Sequence, residues 1–249
     1  MALDEALLES ISRLGRPVLR FYGWTEPAAT FGYFQKYADV ERATHLRPLI
    51  RRPTGGGIVP HDADWTYSLV FPPGHEWHSL KAEESYRRVH EWIQAAFAKL
   101  NVIPELASAP NSHPSPKGYG GQAELPSFAQ RLRRAGRTPI LRPEATEGKP
   151  NSEMGQCFAG HEKFDLLWHG KKIAGAAQRR NKLGLLIQGS VQPPPISLSP
   201  PDWQKAMYNV GRVELGAEWS DFAPDGTLRE RAEFLAAQKY SQPAFIRKR

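Results

Sequence analysis

The sequence predicts an α/β (α+β) fold in which a mixed, mostly antiparallel sheet is backed by helices. Three observations carry this expectation. Short runs rich in β-branched and aromatic residues recur along the chain, bounded by Pro, Gly and polar residues. Two stretches repeat apolar residues at helical spacing. "FDLLWHG" and "KKIAGAAQRR" flank a His-Gly pair, the pattern of two strands joined by a tight turn.

Taken in order, Leu3, Leu7, Ile11 and Leu14 place an amphipathic helix over 2–14, which Pro17 ends. "VLRFYGW" and "AATFGYF" read as strands. "PLIRRPTGGGIVPH" reads as a strand broken by a glycine-rich turn. "WTYSLVFP" is a further strand with Trp65, Tyr67, Leu69 and Phe71 on one face. Residues 83–100 form a strong amphipathic helix with Tyr86, Val89, Ile93 and Phe97 inward. Residues 104–151 hold many prolines and glycines and little periodicity, a long irregular insertion. The sheet-like pattern resumes after it, so residues 1–249 read as one domain. "KLGLLIQGSV" pairs with the hairpin and "PPP" at 193–195 closes it. "SPPDWQKAMYN" is a helix with proline in its first turn. "TLRERAEFLAAQKY" is a last helix with a threonine cap.

A chain of 249 residues, 40% hydrophobic and 24% charged, can bury a sizeable core and is ordinary for a soluble protein. No apolar run approaches the roughly 20 residues that a membrane span needs. The start, Met1-Ala2-Leu3-Asp4-Glu5, is acidic where a signal peptide would be basic. The one cysteine cannot form an internal disulfide, and the expected setting is cytoplasmic, with a reduced thiol. A net charge of +7 favours acidic partners. Nucleic acid is not expected among them, because none of the common reader motifs is present.

Two stretches carry chemistry. In "RRPTGGGIVPH", three consecutive glycines allow positive φ and close approach of backbone to a ligand, and their N–H groups can hold a carbonyl oxygen or a phosphate. A plain tight turn is the bland reading of the same triplet. It lacks the Gly-Lys-Ser/Thr of a phosphate-binding loop and the spacing of a dinucleotide site. In "CFAGHEKFDLLWHGKKIAGAAQRR", the lone thiol of Cys157 precedes Lys172 and the small-residue run Gly175-Ala176-Ala177. A lone cysteine is by default a small buried hydrophobe. A nearby ammonium would stabilise its thiolate and make it a nucleophile.

These blocks resemble the lipoate–protein ligase A and octanoyltransferase family. "RRPTGGGIVPH" is similar to its Arg-Arg-x-Ser/Thr-Gly-Gly-Gly-x-Val-x-His signature. "ALDEALL" resembles its first helix, and "LRFYGWTEPAATFGYFQ" its N-terminal strand pair. "GKKIAGAAQRRNKLGLLIQGS" resembles its second signature, with Lys172 at the active-site lysine. The resemblance implies the fold of class II aminoacyl-tRNA synthetase and biotin ligase catalytic domains. It implies substrate contacts from Arg52, Thr54, Gly55, Gly56, Gly57, Ile58, Val59, His61, Gly175, Ala177 and Gly189, with Cys157 and Lys172 catalytic.

The family divides on chemistry. Its transferases pass an octanoyl or lipoyl group, already activated as a thioester, through a cysteine to a lysine of a lipoyl-carrier domain. Its ligases use ATP to make lipoyl-AMP first. Cys157 ahead of "FDLLWHGKKIAG", and "HDADWTYS" after the glycine turn, resemble the LipM-type transferases. The resemblance then implies an octanoyl-acyl carrier protein donor. It implies an acceptor such as the glycine cleavage H protein or a 2-oxoacid dehydrogenase lipoyl domain, and no cofactor or metal. ATP and Mg would be needed only on the alternative, a lipoate–protein ligase. Gln188 stands where the family often has His, and Pro60 where a larger side chain is common.

Overall fold

The computed structural model describes residues 1–109 and 160–248. Cys157 and most of the irregular insertion therefore lie outside the described residues.

The first helix, α1 (Ala2–Leu14), has the expected bounds and ends at Gly15 in the left-handed region, φ 68°. It buries Leu7, Leu8 and Ile11. Strands β1 (Val18–Tyr22), β2 (Ala28–Phe31), β3 (Leu49–Arg51), β4 (Val59–His61) and β5 (Trp65–Phe71) follow, with the short α2 (Tyr37–Ala43) between β2 and β3. Next come α3 (Glu76–Ser79), α4 (Ala82–Ala98) and a two-residue β6 (Glu105–Leu106) at the start of the proline-rich stretch. Beyond the insertion, β7 (Leu166–Trp168), β8 (Lys171–Asn181) and β9 (Gly184–Val191) form the expected hairpin and its neighbour. His169 (φ 48°) and Gly170 (φ 72°) both sit in the left-handed region, the requirement of a two-residue hairpin turn.

Six strands form one antiparallel sheet in the order β1-β5-β9-β8-β7-β6. Strands from both sides of the insertion thus share one sheet. A second sheet of three strands has the order β3-β2-β4, with β3 parallel and β4 antiparallel to β2. The expectation of a mixed, mostly antiparallel sheet with helices holds.

Three local readings change. The sequence places one face of β5 inward, but all seven of its residues are buried. It is a central strand covered on both sides. Trp65, Tyr67, Leu69 and Phe71 pack with Val89, Ile93 and Phe97 of α4, while Val70 packs with Leu7, Leu8 and Ile11 of α1. Second, the strand broken by the glycine-rich turn is two separate strands, β3 and β4. They flank β2, because the parallel pairing of β3 continues through Arg52 N to Phe31 O (2.8 Å) and Tyr33 N to Thr54 O (2.8 Å) before the chain turns. Third, the last long helix is capped by Asp225, whose carboxylate accepts from Leu228 N at 2.8 Å, and not by Thr227. A carboxylate at a helix start also gains from the macrodipole. Before it, α5 (Pro200–Glu214) is capped by Ser199 and buries Trp203 and Met207 against α4. After Asp225 come α6 (Gly226–Leu235), a π-helical turn (Ala236–Tyr240) and a short α7 (Pro243–Ile246).

Candidate active site

The glycine turn is held by one arginine. Arg52 donates from Nη2 to Gly55 O (2.9 Å) and Gly57 O (2.8 Å), and from Nη1 to Thr30 Oγ1 (2.8 Å). Gly56 sits at φ 88°, where a side chain would be strained. The turn also lies against Gly32: an ideal Cβ there would fall 2.0 Å from Gly56 O. Arg51 faces away from the turn. It is fully buried and donates to the carbonyls of Tyr33, Gln35, Phe245, Ile246 and Lys248, so it fastens the α7 segment to the loop after β2.

Between the turn, the β2–β4 pair and the large sheet runs a narrow cleft. Of the residues singled out in the sequence, Arg52, Gly56, Val59, His61, Gly175, Ala177 and Gly189 line it. Thr54, Gly55, Gly57, Ile58 and Lys172 do not. Ile58 is buried among Ala29, Phe31, Val40 and Leu49. Thr54 donates to Gln188 Oε1 at 2.9 Å, and Gln188 Nε2 donates to Asp4 Oδ2 at 2.7 Å. Gln188 therefore ties the glycine turn to α1.

Thr30, His61 and Asp64 form a buried chain at one wall. Asp64 can only accept, so His61 Nδ1 carries the proton it donates to Asp64 Oδ2 at 2.8 Å. The Thr30 hydroxyl, which accepts a hydrogen bond from Arg52 Nη1, donates to His61 Nε2 at 2.7 Å. Burial lowers the His61 pKa against the pull of Asp64, which keeps the ring neutral. Trp24 stacks on the ring at 4.1 Å, and Ser190 donates to the same Asp64 oxygen at 2.6 Å.

Against Gly175 lies Lys172. Its Nζ is 2.6 Å from Asp165 Oδ2, with the two side chains 4% and 0% exposed. Asp165 also accepts from Tyr86 OH and from Glu162 N. The ammonium is aimed across the backbone of Gly175, where an ideal Cβ would stand 2.9 Å from Nζ and 2.7 Å from Cε. Only glycine leaves that space. Behind the pair, burial holds His90 down to about 4 and pushes the Tyr67 hydroxyl well up. Their Nε2 and hydroxyl atoms have no hydrogen-bond partner among the described residues. Gly189 is required by the same Tyr67, since a Cβ there would fall 2.2 Å from the tyrosine ring. Sequence reasoning missed Asp165 and Thr30, and it gave Asp64, inside the "HDADWTYS" match, and the inward Tyr86 no role of their own. The available signal was weak: Asp165 is the acid that opens the strand pairing with Lys172.

Residues 1–192 match the lipoyl protein ligase A/B catalytic domain. The chain belongs to that family. Among curated relatives it is 34% identical over 197 residues to the octanoyltransferase LipM of Geobacillus kaustophilus (strain HTA426), covering 77% of this chain and 59% of that protein. It is 33% identical over 199 residues to the octanoyltransferase LipM of Bacillus subtilis (strain 168), with the same coverage. The matched region thus spans about three-fifths of the length of these family members. Among solved structures, a crystal structure of lipoate-protein ligase A bound with ATP superposes with a TM-score of 0.68 at 19% identity, over 99% of this chain and 92% of that one. A bi-partite lipoate protein ligase from Thermoplasma acidophilum gives 0.60 at 17%, over 99% and 91%. At such identity the likeness carries the lipoate-ligase fold, which is the fold class read from the sequence. Among the described residues of this family member, no helix is long and apolar enough to cross a membrane.

Proposed function

We propose that the protein is an octanoyltransferase of protein lipoylation that works through a cysteine thioester. The observation that carries this is the buried Lys172 ammonium, fixed by Asp165 against Gly175, a residue that lines the cleft. The names of its curated relatives support the same reading. Cys157 lies outside the described residues, so its place beside Lys172 rests on the sequence.

The Cys157 thiolate attacks the donor thioester carbonyl, the carbon–sulfur bond to the donor breaks, and the donor thiol leaves with a proton. The acceptor lysine amine, as the neutral base, then attacks the enzyme thioester. An amide forms, the amine proton is lost to solvent or base, and the Cys157 thiolate is restored. Lys172 stabilises negative charge on sulfur and on the carbonyl oxygen. Asp165 pairs with that buried cation at 2.6 Å, which offsets the cost of burying either charge. The glycine turn, held rigid by Arg52, offers backbone N–H groups to the same oxygen. No ATP enters this scheme, because a thioester donor is already activated. The donor is octanoyl-acyl carrier protein and the acceptor a lipoyl-carrier domain; the protein acts as one domain with an insertion.

The test is octanoyl transfer to an isolated lipoyl domain from octanoyl-acyl carrier protein in the absence of ATP. The scheme requires transfer, and no exchange of pyrophosphate into ATP with free octanoate or lipoate. Pyrophosphate exchange without ATP-independent transfer would make the protein a ligase.

A further inference from the structure

A line of hydrogen bonds runs from the segment before β5 to the glycine turn. Asp64 Oδ2 accepts from His61 Nδ1, and His61 Nε2 accepts from the Thr30 hydroxyl. Thr30 Oγ1 accepts from Arg52 Nη1, and Arg52 Nη2 donates to Gly55 O and Gly57 O. All four side chains are buried. The line therefore joins four separate places in the chain without a solvent-exposed link.

Each link takes its direction from the one before it. Asp64 Oδ2 also accepts from Thr66 Oγ1 (3.1 Å) and Ser190 Oγ (2.6 Å), so it offers His61 only an acceptor and fixes the ring proton on Nδ1. The bare Nε2 then takes the hydroxyl proton of Thr30, whose oxygen is left to accept from Arg52. A guanidinium is a rigid planar fork, so holding Nη1 on Thr30 aims Nη2 at the two glycine carbonyls. A trans peptide sets its C=O and N–H on opposite sides. Drawing Gly55 O onto Arg52 thus turns Gly56 N–H the other way. Gly56 lines the cleft and holds its φ of 88° there.

We infer that His61 is a positioning residue for the glycine turn: its neutral Nδ1–H form holds Thr30 and Arg52 in the arrangement that sets the turn, and a proton on Nε2 releases them. That proton would point at Thr30 Oγ1. The oxygen would then accept from two cations at once, and the hydroxyl proton would lose the acceptor it now has. Burial, with Trp24 stacked on the ring at 4.1 Å, favours the neutral form. Asp64 and Asp62 before β5 favour the cation, and Arg52 after β3 opposes it. Tyr22 of β1 lines the same cleft, but burial keeps its hydroxyl protonated and without charge. The release therefore belongs to the acid side of the ordinary histidine value of about 6.5. Its consequence for transfer rests on the reading of the turn as the holder of the acyl carbonyl.

The test reads the turn without needing transfer. The His61 ring nitrogens and the amides of Gly55, Gly56 and Gly57 are followed by NMR in the ¹⁵N-labelled full chain, from about pH 8 to about pH 5. At the alkaline end the ring should show the Nδ1–H tautomer. On acidification the glycine amides should move with the ring's own midpoint. Thr30→Ser keeps the hydroxyl and should preserve this coupling. Thr30→Val keeps the shape alone, so its glycine amides should be displaced already at the alkaline end and cease to follow the ring. An Nε2–H tautomer, glycine amides that ignore the ring's titration, or wild-type amide positions in Thr30→Val overturns the inference. Octanoyl transfer gives a second reading. Thr30→Val should lower kcat about tenfold or more with little change in KM, while Thr30→Ser stays near the wild-type rate. A residue that merely lined an apolar cleft would do the reverse, since valine removes a hydroxyl from it. A wild-type protein that shows the coupling but transfers no octanoate leaves this inference standing and sinks the transferase reading.

Discussion

A methyl group on Gly175 would stand 2.7 Å from Lys172 Cε and 3.3 Å from Asp165 Oδ1, so the residue does more than leave room for an acyl chain. It lets the ammonium lie against the backbone. Gly175→Ala should then push the ammonium off its position, and displacements near 1 Å cost on the order of 100-fold in rate. We expect kcat to fall at least tenfold with a melting temperature within a few degrees of wild type. An unchanged kcat would show that the ammonium position is not critical. His90 gives a second prediction. The unfolded chain takes up the imidazole proton near 6.5 and the folded chain only near 4, because burial penalises the cation. Between those values the unfolded state holds more protons, so stability rises with pH there and is lost as pH falls. The size is on the order of 3 kcal/mol. His90→Leu should flatten this loss, read as urea midpoints at pH 7 and pH 4.5; equal slopes in both proteins would refute it. At this scale the sequence was only partly legible. Lys172, His61 and the small residues stand in motifs, whereas Asp165, Tyr86 and Thr30 meet their partners only through tertiary packing.

Among the elements, the glycine turn depends on β2 more than on its own strands. Gly32 meets Gly56 O so closely that any Cβ must move backbone, while Gly55 faces open space at an ordinary φ. Gly32→Ala should therefore destabilise the protein by about 1–3 kcal/mol, the usual range for overpacking, and weaken ligand binding in the cleft. Gly55→Ala should stay within about 0.5 kcal/mol of wild type. Chemical denaturation of both variants checks the contrast, and equal effects would contradict it. The strands on either side of the triplet were readable from β-branched and apolar runs, but their arrangement around β2 was not. Nothing in "PLIRRPTGGGIVPH" says that a third strand, 18 or more residues earlier, will lie between its halves. The threonine cap misread a local choice, since Asp225 two residues before Thr227 offers a charged acceptor to the same helix start. The His-Gly hairpin was legible because its turn chemistry is wholly local.

For the whole molecule, the six-stranded sheet supplies Gly175, Ser190, Thr66 and Tyr22 to the cleft, and the smaller sheet with the glycine turn supplies Thr30, Gly56, Val59 and His61. Alternating apolar patterns revealed the strands. They did not reveal that Gly175, Ser190, Thr66 and Tyr22 align in one row, because register across non-adjacent strands is set by the assembled sheet. The central claim is that this scaffold brings an acyl thioester to Cys157 beside the Lys172 ammonium. Intact-mass analysis after mixing the protein with octanoyl-acyl carrier protein, without ATP, tests it most directly. The account predicts a wild-type chain heavier by one octanoyl group, an adduct released by hydroxylamine, and no adduct on Cys157→Ala. A wild-type mass that stays unchanged, or an adduct that persists in Cys157→Ala, would contradict it.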